Sequence, residues 1–112
     1  MRIVLTLMAL GLLLTACGRK DARLEKQVAG TWYQGPHTLT LEKDGSYLSI
    51  FPGKPMVTYQ AGWRVERGYL VVTNITSNSV PMPRGNTAVK ILKVDKHHLE
   101  MTLGTNRISM LR

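Results

Sequence analysis

Between Met56 and Glu66 the chain alternates for five consecutive pairs. Val57, Tyr59, Ala61, Trp63 and Val65 fall on one side of a period of two, and Thr58, Gln60, Gly62, Arg64 and Glu66 on the other. In a strand this pattern gathers the apolar side chains on one face, whereas a helix scatters them around its circumference. The segment reads as a β-strand with one buried side.

The rest of the chain beyond Gly30 follows the same rule in shorter pieces. Thr31-Trp32-Tyr33 opens a short strand. His37 to Lys43 alternates about Leu39 and Leu41, Asp44-Gly45 supplies a hairpin turn, and Ser46 to Phe51 returns. Pro52-Gly53-Lys54-Pro55 is a loop, because proline donates nothing to a sheet ladder. Arg67-Gly68 turns the chain into Tyr69 to Thr73. Ile75 to Asn86 is the longest break, and Thr87 to Val94, His98 to Leu103 and Arg107 to Leu111 follow as strands. The connections are nearly all short, so sequence neighbours pair. The expected class is all-β: an antiparallel meander of about seven strands. Tyr59, Trp63, Met101 and several leucines point to one side, which implies a largely packed interior with at most a shallow cleft at one rim.

The first thirty residues differ in character. Met1-Arg2 precedes an apolar run from Ile3 to Leu14. Twelve residues are too few for a membrane span of about 20, but they suit the apolar part of a secretory signal. The run ends in Leu14-Thr15-Ala16-Cys17, which resembles the lipobox of bacterial lipoproteins. The resemblance implies cleavage between Ala16 and Cys17, a diacylglyceryl group on the Cys17 sulfur and acylation of the new amino group. A cleaved signal with a chance cysteine is the competing reading. Against it, Cys17 is the sole cysteine, has no disulfide partner within the chain, and as a free thiol in an exported protein would be a liability. By the same resemblance, Gly18, where an aspartate retains such proteins of enteric-type bacteria at the inner membrane, implies the outer membrane, or the cell membrane in an organism without one.

Residues 1–16 are therefore read as signal, 17–29 as a charged tether and 30–112 as the β domain. In the tether, Leu24 and Val28 stand four apart on one helix face, so a short helix of about two turns is expected, ending at Gly30. Cleavage leaves 96 residues carrying 14 Lys and Arg against 7 Asp and Glu, a net charge of +7. A basic exported domain is drawn to anionic headgroups or acidic envelope polymers; solubility alone is the other use of such charge. Nucleic acid is not an expected partner, since the anchor places the domain outside the cytoplasm.

Gly30-Thr31-Trp32 after a short helix matches the G-x-W start of lipocalins. With residues 39–47, Gly62 to Leu70 and a strand beginning at Arg107, residues 24–112 resemble small bacterial lipocalin-like domains. The resemblance implies a meandering barrel or half-barrel in which a basic side chain near the C-terminus covers the first tryptophan. Arg107 or Arg112 is placed to clasp Trp32, with Arg107, at the start of that strand, as the leading choice. The other lipocalin motifs are absent and the domain is short.

No catalytic or metal set stands out. His97 and His98 are neighbours and point to opposite sides of a strand. His37 has serines and aspartates elsewhere in the chain, but no G-x-S-x-G elbow accompanies it. No glycine-rich phosphate loop occurs, and no cofactor is expected. Met101 and Met110 read as core, and Met82, between two prolines, as exposed. The leading expectation is a non-catalytic, lipid-anchored envelope domain with a binding or assembly role at the periplasmic face of the outer membrane. Its partner would be an envelope protein or an anionic envelope polymer. The alternatives are a carrier of a small apolar ligand beside Tyr59 and Trp63, and an enzyme inhibitor of the lysozyme-inhibitor kind presenting Ser77 to Gly85.

Overall fold

The computed structural model describes residues 20–112; the expected signal, the cleavage site and Cys17 lie outside the described residues. Residues 20–28 form a helix, α1. Eight strands follow: β1 Gly30–Gln34, β2 His37–Leu41, β3 Ser46–Phe51, β4 Val57–Glu66, β5 Tyr69–Ser77, β6 Asn86–Val94, β7 His98–Leu103 and β8 Asn106–Leu111. Each pairs antiparallel with the next, and β8 returns to β1 through Tyr33 opposite Leu111, closing the barrel. The all-β meander with a short N-terminal helix is as expected, and of barrel and half-barrel it is the barrel.

The strand count is eight, one for each of the eight segments named from the sequence, against the total of about seven. The short segment around Trp32 is a full strand, pairing with β2 from Gly30 opposite Leu41 to Gln34 opposite His37. Gly35, at φ 57°, reverses the chain within two residues and makes this possible. β5 is also longer than its expected end at Thr73. Between Gln60 opposite Thr76 and Gly62 opposite Thr73, β4 advances two residues and β5 three. Asn74, at φ 53°, lies in this stretch. This bulge resets the alternation and lets Thr76 and Ser77 pair on. A second bulge leaves Leu92 as the extra residue of β6.

Turn chemistry fixes the hairpins locally. The Asp44 carboxylate accepts the Ser46 amide at 2.9 Å, and Gly45 has φ 95°. Asp95 likewise accepts the His97 and His98 amides at 2.9 and 2.8 Å. The Ser46 hydroxyl and then its amide hold the Asp44 carboxyl below the ordinary carboxylate range, and the two histidine amides do the same for Asp95.

Inside the barrel, Trp32, Leu41, Leu70, Leu99 and Met110 are fully buried, and Val28 of α1 joins them from one end. Leu24 packs against the same cluster, so the two positions read as one helix face do share it. Met101 is core as expected. Met82 is only half-buried rather than exposed, and Met56 is the exposed methionine of the β3–β4 loop.

Candidate functional site

Antiparallel order places the β2–β3, β4–β5 and β6–β7 turns at one end of the barrel, and α1 lies across it. The helix is held by its own acids. Asp21 accepts the amides of Arg67 and Gly68 at 3.0 and 3.1 Å, and Glu25 accepts the Val65 amide at 3.1 Å. Asp21 and Glu25 are four apart, hence on one face of the helix, and that face is turned onto the β4–β5 hairpin. Arg67 carries a left-handed φ of 53°, a strained conformation for a residue with a Cβ, and the Asp21 carboxylate grips the backbone there.

The two tryptophans serve the same end. Trp32 Nε1 donates to the Val28 carbonyl at 2.7 Å, and Trp63 Nε1 donates to the Glu42 carbonyl at 2.8 Å. The Trp32 ring is covered by Arg112, whose guanidinium carbon lies 4.0 Å from the ring centroid. Arg112 also donates to the carbonyls of Ala29 at 2.9 Å and Lys96 at 3.2 Å. The clasp is therefore Arg112 and not Arg107. Arg107 stands opposite Thr102 near the start of β8 and pairs with Glu100 at 2.8 Å. It is five residues from Arg112, about 17 Å along a strand.

Tyr59 and Trp63 share the inward side of β4 but do not meet over a common cleft. Trp63 lines a cleft of about 460 Å³ with Ala22, Glu25, Lys26, Ala29 and Lys43, under α1. Tyr59 lies about 13 Å back along the strand and packs edge-on against Phe51, centroids 5.8 Å apart.

Phe51 belongs to a group toward the opposite end. His37 stacks on it at 3.9 Å, and His37 Nε2 lies 2.6 Å from Ser49 Oγ. His37 Nδ1 is buried with no hydrogen-bond partner. An imidazole lone pair is cheaper to leave unpaired than an N–H, so the proton belongs on Nε2, donated to Ser49. Burial lowers the His37 pKa below its ordinary 6.5. Nearby, burial raises the Tyr47 phenol, with a hydrogen bond from Ser49 acting against the rise. A histidine within reach of a serine suggests a base and its nucleophile, but that chemistry requires a third group on the far nitrogen and a reachable hydroxyl. Ser49 is 2% exposed and Nδ1 is unheld, so the pair ties β2 to its neighbour β3 on the inner wall of the barrel.

Beyond this group, Asn78 ties two loops together, donating to the Met56 carbonyl at 2.9 Å and accepting the Thr58 amide at 2.9 Å. The break expected from Ile75 to Asn86 is shortened to residues 78–85, because β5 runs on to Ser77, and Asn78 pins its start. His98 sits 3.3 Å from Asp95, and among the described residues no three His, Cys, Asp or Glu converge on a metal position.

Against the capped end, Lys20, Arg67, Lys90 and Lys93 line a groove of about 430 Å³ with Leu24 and Leu92. No sequence pattern marks this cluster. Its members come from α1, the β4–β5 turn and β6, and no linear signal joins them. No described helix is long and apolar enough to cross a membrane. The chain matches no protein-family model, no curated protein and no solved structure.

Proposed function

We propose that the chain is a lipid-anchored domain of the bacterial envelope, without catalytic chemistry, that binds or assembles a partner at the periplasmic face of the outer membrane. The observation that carries this reading is the position of Cys17. It ends a lipobox-like Leu14-Thr15-Ala16-Cys17 and stands three residues before Lys20, where the described helix is already seated on the barrel through Asp21. An acyl anchor on Cys17 would hold the folded domain directly against the bilayer, and two or three chains make that attachment stable where one would be marginal. The buried side chains inside the barrel support binding on its outer surfaces and loops. The seven acidic residues of the chain include Asp21, Glu25, Asp44 and Asp95, all occupied as backbone acceptors.

The test is the intact mass of the protein extracted from its native envelope. A chain beginning at Cys17 with the mass of a diacylglyceryl group and a further acyl chain supports the reading, as does loss of processing in Cys17→Ser. A mature chain recovered in the soluble fraction with an unmodified thiol refutes it. Crosslinking in the same membranes then identifies the partner.

A further inference from the structure

The groove beside α1 concentrates positive charge where the chain leads back toward Cys17. Lys20 comes from the helix, Arg67 from the β4–β5 turn, and Lys90 and Lys93 from β6; all four are exposed. The acids nearest to it are engaged. Both Asp21 oxygens accept backbone amides, Asp95 holds the His97 and His98 amides and lies 3.9 Å from Lys93, and Glu66 is paired with Arg64. Two side chains at the groove suit an interface between water and lipid: Tyr69, 39% exposed, and Leu92, 44% exposed on its bulge. Tyrosine places an apolar ring with a polar tip at headgroup level, and the bulge leaves Leu92 outside the ladder pairing.

Chain length decides which surface meets these residues. Two residues, Gly18 and Arg19, separate Cys17 from Lys20, and an extended chain spans at most about 3.6 Å per residue, so the Cα atoms of Lys20 and Cys17 lie within about 11 Å of each other. A domain so tethered cannot turn its helix-capped end away from the bilayer.

We propose that this groove is the membrane-facing side of the domain. Lys20, Arg67, Lys90 and Lys93 seat the phosphates of anionic phospholipid in the leaflet that holds the Cys17 acyl chains, and the opposite end, with Met56 and residues 78–85, is presented away from it. The inference rests on the lipidation of Cys17 and adds an orientation and a ligand class, the phosphodiester headgroup. Opposite charges across the interface attract over about a Debye length, so the contact weakens with salt.

The experiment is amine labelling of the full native chain reconstituted in vesicles of neutral phosphatidylcholine, and in vesicles with about 30% phosphatidylglycerol, read by peptide mass spectrometry. Lys20, Lys90 and Lys93 should label at least threefold more slowly in the anionic vesicles, with Lys54 of the β3–β4 loop unchanged, and protection should vanish at about 0.5 M salt. In Lys90→Glu/Lys93→Glu, with unchanged circular dichroism, Lys20 should lose its protection. Equal labelling in both vesicles, or protection centred on Lys54, overturns the proposal. So does the same protection from millimolar glycerophosphate without vesicles, which would make the groove a site for small free anions. The intact mass of the same sample reports the acyl chains separately. Acylated protein without protected lysines defeats the orientation alone, and protected lysines on unacylated protein defeat the anchor alone.

Discussion

Arg112 lies over Trp32, its guanidinium carbon 4.0 Å from the ring centroid, and thereby completes a seam that the backbone leaves thin. β1 and β8 pair through Tyr33 and Leu111. The next residue on β8's side is Arg112, and the next toward the capped end on β1 is Trp32, so antiparallel register brings the two side by side. The guanidinium then reaches past the ring to the carbonyls of Ala29 and Lys96. One side chain joins the end of α1, the first strand and the β6–β7 turn.

Replacing Arg112 with alanine removes a cation–π contact of about 0.5–2 kcal/mol and hydrogen bonds to carbonyls at about 0.5–1.5 kcal/mol each. Arg112→Ala should lower stability by about 1–3 kcal/mol in denaturant unfolding and raise solvent quenching of Trp32 emission. Arg107→Ala, which breaks only an exposed pair with Glu100, should cost no more than about 1 kcal/mol. A larger loss for Arg107 than for Arg112 would contradict the seam described.

Gly30 carries φ 127°, and a Cβ there would meet Arg112 Nη1 at 3.1 Å. That backbone region is nearly restricted to glycine, at a cost of about 1–3 kcal/mol for other residues. Gly30→Ala should therefore destabilise the protein by a similar amount, and in combination with Arg112→Ala by less than the sum, because the second change removes the atom that the new methyl meets. Strict additivity in the double-mutant cycle would show that the steric contact plays no part.

Asp21 holds two amides of a turn whose Arg67 is in a left-handed conformation. In Asp21→Ala the amides of Arg67 and Gly68 should exchange with deuterium at least tenfold faster, and α1 should fray from the barrel. The loss in stability should be about 1–2 kcal/mol, as for removal of a helix-capping carboxylate. Unchanged exchange at these two amides would mean that the helix is held without Asp21.

Burial lowers the His37 pKa from 6.5. As pH falls through 6.5 the unfolded chain takes up the proton first, so stability falls with pH from 6.5 down to the lowered value and levels off below it. Equilibrium unfolding between pH 5 and 7.5 should show this slope, and His37→Gln should flatten it. An identical slope in both proteins would place the titrating group elsewhere.

The strands were legible because each writes its own signal. Five period-two pairs in β4, glycine at the β2–β3 turn and Arg67-Gly68 before β5 are local patterns, and local sterics enforce them. β5 was underestimated because its continuation past Thr73 depends on a bulge, and Asn74-Ile75-Thr76 carries no alternation until that extra residue has reset the register against β4. The inward direction of Tyr59 and Trp63 was also readable. That they serve opposite ends was not, because the partner of Trp63 is the carbonyl of Glu42 in another hairpin.

The amino-acid order alone settled the β class, most strand positions, the short helix and its apolar face at Leu24 and Val28, since each follows from spacing within a few residues. The folded chain decided the rest: that the meander closes, that Arg112 and not Arg107 reaches Trp32, that His37 finds Ser49, and that Lys20, Arg67, Lys90 and Lys93 share a groove. Those are pairings across turns and around a ring. They depend on strand register, in which a single bulge changes what faces what, and no window of sequence contains both members.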